Sequence, residues 1–532
     1  MNVALVCVED GIISVGFRKM AAYVKVLNPD TTVYYVSQGK YRSLRAMIAG
    51  RQGEWNALHR EDARRIAEPL SRADLVGFSS MTGYAGLTET LIRQVRDLNP
   101  RAYVVWGGIH PIIVPEAAIQ HADAICTGEG EFAFAEFFEA FKSGKDYTRT
   151  RNFWFNQDGK IVRNPFRPLM TGEDMSALPL PHYSGQEFIY APGRGFEKMT
   201  TGHYVHENGL SYTTVWSIGC PFQCTYCGNT KFIENDESYR KVRHSRVAYL
   251  IAEIEQAIRA HPHISTIVFQ DDSFMALPLG VLAEFAAEYK KRIDLPFSVQ
   301  GVIPSYVRRD KLELLLAAGL NRVRMGIQNG SQRILEFYER KTPPARIEAA
   351  AVILSEYRRY MIPPAFDIIL DNPIETREDV LANLEFLNRL ARPFTLNVFS
   401  LRSIPNTVLE KQMAGRGISL DEISANYIHN IPTLANCLVY LLAICRIPPW
   451  LFEPLARRAL PMTTPQPMYP RLLLFMRALY LTARGLSHMR FLDFSVVTGK
   501  TGYLLWRTGA IGFWNRRMVP KFKAPAVLPA AR

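Results

Sequence analysis

Cysteine is scarce in this 532-residue sequence, which contains seven. An odd count in so long a chain argues against the disulfide framework of a small secreted protein. The opening residues, MNVALVCVED, lack the basic stretch and the small-residue cleavage site of a signal peptide. The apolar run Leu434–Cys445 is too short to span a bilayer. We therefore expect a protein of the reducing cytoplasm.

Acidic residues are nearly missing from the last part of the chain. From Leu441 to Arg532 there are fourteen basic residues, opposed by Glu453 and Asp493 alone. This local excess of +12 accounts for nearly all of the formal net charge of +13. Such a segment indicates an anionic partner, which could be lipid headgroups, nucleic acid or an acidic substrate.

The stretch Tyr469–Leu486 mixes leucine, phenylalanine and tyrosine with arginine at helical spacing. This pattern predicts an amphipathic helix that lies on an interface, and hence peripheral contact with the inner membrane surface. The alternative is a helical cap that covers the rest of the protein and leaves its cations in water. The cations alternate with apolar side chains and no RNA-binding motif is present, so we do not expect nucleic acid as the partner.

The first 145 residues alternate short apolar runs with helical patterns, which predicts a Rossmann-like α/β domain with a parallel sheet. The predicted strands are Val3–Val8, Thr32–Val36, Leu75–Ser79, Tyr103–Trp106 and Ala124–Cys126. Loops with glycine or small residues follow the last three of them. Because ligands bind beyond the carboxyl ends of such strands, we expect a binding site at these loops.

Three further segments follow. Residues 146–205 contain five prolines and are predicted to be a Pro-rich linker with some short structure. Residues 206–410 show six β/α units, too few for an eight-fold barrel, and predict a partial (β/α)6 barrel with its site at the carboxyl ends of the strands. Residues 411–532 are predicted to form a helical, basic C-terminal domain. Cys7, Cys126, Cys437 and Cys445 lie in apolar runs and are expected to be buried.

Three of the seven cysteines form a CxxxCxxC motif directly after the predicted strand Thr213–Ile218. Cys220, Cys224 and Cys227 can hold three irons of a 4Fe–4S cluster and leave the fourth iron open to S-adenosylmethionine. The alternative is a structural zinc loop, which normally needs four ligands. No nearby histidine or cysteine completes such a set, so we predict the cluster.

With this motif the sequence resembles the radical S-adenosylmethionine superfamily, in particular the branch with an N-terminal cobalamin-binding domain. Further segments carry the resemblance: Leu178–Pro181, Tyr226 before the last cysteine, Gln270–Phe274, Met325–Ser331, Asp367–Thr376, Phe399–Leu401 and Pro405–Thr407. One departure is Gln328-Asn329, which stands where the family usually has Glu-Ser. Glutamine keeps one acceptor oxygen but loses the charge and adds a donor.

The resemblance implies three cofactors, namely a 4Fe–4S cluster, S-adenosylmethionine and cobalamin. On the barrel the implied cofactor-binding residues are Tyr226, Asp271, Asp272, Gln328 and Asn329. In the first domain the resemblance implies Gly107, Gly108, His110, Gly128 and Glu129. Ser79, Ser80 and Thr82 are further cofactor-binding candidates because their loop follows the carboxyl end of a predicted strand. The corrinoid family's DxHxxG motif for the lower ligand is absent, so His110 either binds cobalt or shapes the loop before Pro111. A sheet that keeps the fold without cobalamin is a further alternative.

The resemblance also implies the reaction: methylation of an unactivated carbon, here expected on an apolar or membrane-associated metabolite. A 5′-deoxyadenosyl radical would abstract hydrogen, and methylcobalamin would supply the methyl group. An external one-electron reductant of the flavodoxin or ferredoxin type would be needed. The alternatives are a radical cyclase or oxidative rearrangement without methyl transfer, an RNA-modifying or RNA-binding protein, and a cluster-bearing scaffold without catalysis.

Overall fold

The computed structural model describes residues 1–9, 11–37, 62–181, 183–420, 430–459, 468–491 and 494–517. Within these residues most strands belong to two sheets, one of nine strands and one of six. The sheets correspond to the two alternating β/α series of the sequence, and helices follow them at the C-terminal end. This architecture confirms the predicted fold class.

The first sheet has a parallel centre. Its strands are β1 (Val3–Glu9), β2 (Thr32–Ser37), β3 (Leu75–Ser80), β4 (Tyr103–Gly107) and β5 (Ala124–Cys126), in the spatial order 2-1-3-4-5. This order reverses between β1 and β3, and such a switch point is where doubly wound sheets bind ligands. Almost every residue of β1 is buried, as expected for a central strand covered on both faces.

Helices cover both faces of this sheet. They are α1 (Val15–Leu27), α2 (Ala63–Leu70), α3 (Ala85–Leu98), α4 (Ile109–Ile113), α5 (Pro115–Ala118) and α6 (Glu131–Lys142). Apolar residues of α1 and α6 share one buried cluster with the odd-numbered residues of β1, and those of α2 and α3 share another with the even-numbered ones. The alternation of strand side chains thus builds two cores.

The segment predicted as a Pro-rich linker, residues 146–205, extends this sheet at both edges. It contributes β6 (Phe153–Gln157), β7 (Lys160–Arg163), β8 (Phe188–Ala191) and β9 (Gly195–Lys198), together with α7 (Gly172–Ala177) and α8 (Thr201–Asn208). Asp158 and Gly159 both have positive φ in the two-residue turn between β6 and β7. An Asp-Gly turn is a strong sequence signal for a hairpin. The prediction of a linker, which was based on the prolines, overlooked this signal. The exact domain limits remain predictions.

The second sheet is the expected partial barrel of six parallel strands in sequential order. Its strands are β10 (Ser211–Thr214), β13 (Thr266–Phe269), β14 (Phe297–Val302), β15 (Leu320–Gln328), β16 (Ala365–Leu370) and β17 (Thr395–Ser400). The small strands β11 (Ser217–Ile218) and β12 (Arg243–His244) form a separate antiparallel pair. The prediction of one strand over Thr213–Ile218 was therefore wrong, because the backbone N–H groups of Trp216 and Ser217 donate to Asp271 and end the barrel strand early.

Helices alternate with the barrel strands. They are α9 (Asn229–Asn235), α10 (Val247–Ala260), α11 (Leu279–Arg292), α12 (Arg309–Ala318), α13 (Gln332–Phe337), α14 (Pro344–Glu356), α15 (Arg377–Arg389) and α16 (Val408–Ala414). Helix α15 begins at a capping box between Thr376 and Asp379, which satisfies free backbone N–H groups of its first turn.

The C-terminal residues form the helices α17 (Leu434–Ile444), α18 (Pro449–Ala459), α19 (Tyr469–Met489), α20 (Gly499–Arg507) and α21 (Ala510–Arg517). The Tyr480 hydroxyl of α19 accepts a hydrogen bond from the Leu396 N–H at 2.8 Å and donates to its carbonyl at 2.6 Å, which pairs the free edge of β17. Near the other edge, Leu210 N–H donates to the carbonyl of Ser495 at 2.6 Å. The C-terminal segment therefore contacts the partial barrel at both of its edges.

Among the described helices, none combines the length and the apolar character needed to cross a bilayer. Of the four cysteines expected to be buried, Cys7, Cys126 and Cys437 are buried and Cys445 is exposed. Cys445 lies just after α17, where the apolar run ends and the chain turns to the surface.

Candidate active site between the two sheets

The three cysteines of the motif lie on one loop at the carboxyl end of the first barrel strand. Cys224 is buried, and Cys220 and Cys227 are partly buried. Backbone hydrogen bonds hold the loop: Cys220 N–H donates to Tyr239 at 3.2 Å, and Thr225 N–H donates to Tyr338 at 3.0 Å. The loop is thus fixed at the barrel mouth independently of any bound group.

The chemistry of this donor set fits an iron–sulfur cluster. Burial raises the pKa of Cys220 to about 11 and that of Cys227 to about 12, so the thiolates need a positive partner. No three His, Cys, Asp or Glu side chains in the described ranges converge as ligands of one metal ion. A cubane cluster does not require such convergence, since each cysteine binds a different iron.

A buried arginine that the sequence analysis did not single out stands beside this loop. Arg340 Nη1 contacts the Cys224 sulfur at 3.6 Å, and Nη2 donates to the Gly326 carbonyl at 3.0 Å. Its guanidinium also lies over the Phe222 ring, 5.4 Å from the centroid. Arg340 therefore joins the cysteine loop to the end of β15. It follows α13 without a motif of its own, so only the folded chain brings it here.

The two aspartates predicted to bind a cofactor brace the cysteine loop in the structure. Asp271 is buried and accepts hydrogen bonds from the N–H groups of Trp216 and Ser217, and its burial raises its pKa to about 6. Asp272 accepts from the Tyr239 hydroxyl at 3.0 Å and from Gly219 N–H at 3.4 Å. Both carboxylates thus hold the backbone segment that leads into Cys220. Their contact with a nucleoside stays a prediction.

At the end of β15, the two residues of the unusual Gln-Asn pair have different surroundings. Gln328 has φ of +66°, and its amide folds against Gly326 where any Cβ would clash. Asn329 is fully buried and donates through Nδ2 to Glu375 at 2.8 Å. Burial raises the pKa of Glu375 to about 8. Glu375, in the loop after β16, thus braces the buried Asn329.

Tyr226, the aromatic residue before the last cysteine, packs among apolar side chains. Its ring lies 5.0 Å from that of Tyr338 in an edge-to-face arrangement, within a small cluster that includes Leu401 and Leu409. Tyr226 therefore anchors the cysteine loop to the barrel wall, and its contact with a cofactor stays a prediction.

A cavity of about 500 Å³ lies at the carboxyl edge of the first sheet and faces the barrel. Four of the predicted residues line it, namely Ser79, Gly107, Gly108 and Gly128. Its other walls are mostly apolar and come from α1, β3, α4 and α6. The cavity lies at the carboxyl ends of β1, β3, β4 and β5, next to the switch point of the sheet.

The glycines of this cavity let backbone and ligand approach closely. Gly108 has φ of +88°, and a Cβ there would lie 2.8 Å from the backbone N and O of Ser80. A Cβ on Gly130 would lie 2.8 Å from the Met20 methyl group. A largely apolar wall with glycines at the strand ends fits a large ring such as a corrin.

The other four predicted residues of this domain do not line the cavity. Ser80 accepts a hydrogen bond from the indole of Trp106 at 3.0 Å, and Thr82 Oγ1 is buried without a hydrogen-bond partner in the described chain. The His110 ring packs on Trp106 at 4.9 Å between centroids, and burial lowers its pKa to about 4. His110 thus packs against β4 outside the cavity lining, no histidine is among the described lining residues, and its role toward cobalt stays a prediction.

Glu129, just after β5, connects the first sheet to the small β11–β12 pair. It accepts a hydrogen bond from Arg243 at 2.8 Å and another from Met170 N–H at 2.6 Å. The sequence reasoning instead missed two acidic residues that do line the cavity, Glu9 and Glu131. Burial raises the pKa of Glu131. Glu9 directly follows the predicted strand Val3–Val8, and the topology places it in the wall of the same cavity as Glu131.

Contacts across the domain boundary place the cavity against the barrel mouth. Val215 and Gln270, which follow β10 and β13, form part of the cavity wall. Arg18 of α1 donates to the Thr213 carbonyl, and its guanidinium lies 5.0 Å from the Tyr212 ring centroid. A Cβ on Gly228, next to Cys227, would lie 3.2 Å from the side chain of Ile113.

Comparisons with known proteins agree with this geometry. Residues 214–387 match the model of the radical SAM superfamily, and residues 52–138 match that of the B12 binding domain. Residues 52–61 of the second match lie outside the described residues.

Two curated relatives cover about three fifths of the chain. One is an uncharacterized methyltransferase of Pyrococcus horikoshii, 23% identical over 60% of this chain and 64% of that protein. The other is the anaerobic magnesium-protoporphyrin IX monomethyl ester cyclase of Rubrivivax gelatinosus, 24% identical over 61% and 54%. The chain therefore spans less than two thirds of the length of these relatives.

A solved structure shares the fold over most of the chain. It is the radical S-adenosylmethionine methyltransferase TsrM from Kitasatospora setae with cobalamin and a [4Fe-4S] cluster bound. The two proteins are 16% identical, with a TM-score of 0.59, over 92% of this chain and 100% of that one.

Proposed function

We propose that this chain, which carries a B12-binding domain and a radical SAM domain, is a cobalamin-dependent radical SAM enzyme that methylates an unactivated carbon. The observation that supports this most is the position of the cavity. Its walls include Val215 and Gln270 of the barrel, and the loop beside it touches the residue after Cys227. A corrinoid in the cavity and a cluster on the cysteine loop would therefore face one shared space.

Each part of the site has a task in this proposal. The cluster supplies reductive cleavage of S-adenosylmethionine when bound, and the corrinoid supplies the methyl group. Cys220, Cys224 and Cys227 would hold the cluster, while Arg340 places a positive charge beside the sulfur of Cys224. Asp271 and Asp272 accept hydrogen bonds that hold the start of the cysteine loop, so that the geometry of the loop does not depend on substrate.

On the side of the first domain, the protein's residues bind and exclude water. Gly107, Gly108 and Gly128 leave room for the ring, and the apolar wall shields a reactive group from solvent. Because His110 is buried under Trp106, we propose that cobalamin binds without a histidine below the cobalt. A substrate of apolar character, an external reductant and peripheral membrane contact remain parts of the proposal.

A second candidate is a radical cyclase that uses the same cofactors without methyl transfer. The similarity to the Rubrivivax cyclase favours it. The two candidates differ in whether a methyl carbon leaves S-adenosylmethionine for the corrinoid.

The test follows that carbon without requiring the substrate. Full-length protein would be reconstituted anaerobically with iron, sulfide and hydroxocobalamin, reduced, and given S-adenosylmethionine with a labelled methyl group. The methylation proposal predicts that label appears on the protein-bound corrinoid. Corrinoid that stays unlabelled while S-adenosylmethionine is cleaved would favour the cyclase. Failure to retain any corrinoid would favour the alternative in which the first domain keeps its fold but does not bind cobalamin.

A further inference from the structure

Helix α19 carries a row of exposed apolar side chains on its outer face. Phe475, Leu479, Leu486 and Met489 recur at helical spacing, and Met468 continues the row just before the helix. At about 100° per residue these five fall within roughly 80° of one another around the helix axis. Phe475 is 62% exposed and Leu486 is 64% exposed. We call these five residues the apolar stripe.

The stripe is not the face by which α19 packs on the protein. Leu473, Met476 and Tyr480 lie on the opposite side and are buried. Tyr480 makes two hydrogen bonds to the edge strand of the barrel, and Arg484 donates to the Leu396 carbonyl at 3.3 Å. The helix is therefore held firmly from within, while its outer face remains apolar.

The charges around the stripe have one sign. Arg471 lies near its beginning and Arg490 at its end, and both are exposed. No acidic residue occurs in residues 468–491. An apolar row with cations at both ends is the pattern of a helix that lies in the headgroup region of an anionic bilayer.

We propose that the apolar stripe of α19 docks the protein flat on an anionic phospholipid surface. A second copy of the chain is a poorer occupant, because a symmetric contact through the stripe would bring the arginines of both copies together. Nucleic acid would engage the cations but would leave the apolar side chains in water. This attachment does not depend on the proposed methylation.

The experiment is sedimentation of the full-length protein with lipid vesicles. One set would contain phosphatidylcholine alone, and in the other about a third of the lipid would be phosphatidylglycerol. We expect at least about tenfold stronger binding to the anionic vesicles at low salt, reduced at high salt. Equal binding to both sets, or none to either, would overturn the proposal.

Two pairs of substitutions separate the contributions. Phe475→Ser with Leu486→Ser should weaken vesicle binding about tenfold at every salt concentration, because apolar burial is not screened. The matched control is Val26→Ser in the first domain, where a valine is 64% exposed, and it should bind as the wild type does. A control that weakens binding equally would overturn the proposal.

Arg471→Gln with Arg490→Gln should instead remove the preference for anionic lipid at low salt. Arg149→Gln, between α6 and β6, where the arginine side chain is 90% exposed, is the control. Analytical ultracentrifugation without lipid completes the test: a wild-type dimer that Phe475→Ser with Leu486→Ser dissociates would assign the stripe to self-association. Corrinoid content should stay unchanged in all variants, so failure of vesicle binding would be distinct from failure of the proposed methylation.

Discussion

A strong structural constraint on the cavity wall falls on Gly108, and we predict that Gly108→Ala binds the corrinoid about tenfold more weakly. Its φ of +88° and ψ of −166° fall in a backbone region that is essentially restricted to glycine, where a Cβ costs about 1–3 kcal/mol. The new Cβ would also lie 2.8 Å from the backbone N and O of Ser80. The loop must withdraw by about half an ångström to restore ordinary van der Waals separation, and such overpacking costs about 1–3 kcal/mol.

The loop that would move is a wall of the cavity. If only about 1.4 kcal/mol of this strain falls on the conformation that binds the cofactor, corrinoid affinity drops about tenfold. The matched control is Gly159→Ala, where φ is +87° but no atom lies within 4 Å of the new Cβ. It should lose about 1–3 kcal/mol of unfolding free energy through backbone strain alone and keep its corrinoid.

Both variants would be reconstituted with hydroxocobalamin, and bound corrinoid per chain would be measured by absorbance after gel filtration. Urea unfolding of the apo proteins gives the cost in stability separately. Gly108→Ala with a full complement of corrinoid would refute the assignment of the cavity. A Gly159→Ala variant that also lost its corrinoid would show that general destabilisation, and not the cavity wall, explains the loss.

Two further predictions concern groups that sequence reasoning did not identify. Arg340→Met removes a charge-assisted contact to the Cys224 sulfur. The reduction potential of the cluster should therefore fall by about 60 mV or more in a redox titration followed by electron paramagnetic resonance, with partial recovery in Arg340→Lys. An unchanged potential would contradict this. Burial raises the pKa of Glu375 from 4.5 to about 8 in the folded protein. The contribution of Glu375 to stability is therefore fully present below pH 4.5 and is lost as the pH rises through 8. The free energy of unfolding should fall by up to about 4–5 kcal/mol over this range. Glu375→Gln lacks this titration and should gain stability relative to the wild type between about pH 5 and pH 9 in urea unfolding, whereas a constant difference would contradict the assigned pKa.

Much of the fold could be predicted because its signals are local. Each of β1 to β5 begins at its predicted residue and ends within one residue of its predicted limit, since each is a short, uninterrupted apolar run between turn residues. The CxxxCxxC motif and the order of the β/α units were enough to indicate a radical SAM domain. Residue patterns that repeat within one element therefore carried most of the information.

What could not be predicted depends on contacts between distant parts of the chain. The prolines of residues 146–205 suggested a linker, although the prolines lie between or beside strands that pair with the first sheet. Glu129 and Asp271 carry charges suited to binding, yet their partners are Arg243 and the backbone of Ser217. The composition of a loop does not tell which of its side chains face a cavity and which brace the fold.

The most direct test of the central claim is the cluster on the cysteine loop. Wild-type protein and the variant with Cys220, Cys224 and Cys227 all changed to Ala would be reconstituted anaerobically, and iron content, electron paramagnetic resonance of the reduced protein and cleavage of S-adenosylmethionine would be measured. The account predicts a reducible 4Fe–4S signal and cleavage in the wild type, and neither in the triple variant. A triple variant that still carried the signal, or a wild type that never formed it, would contradict the account.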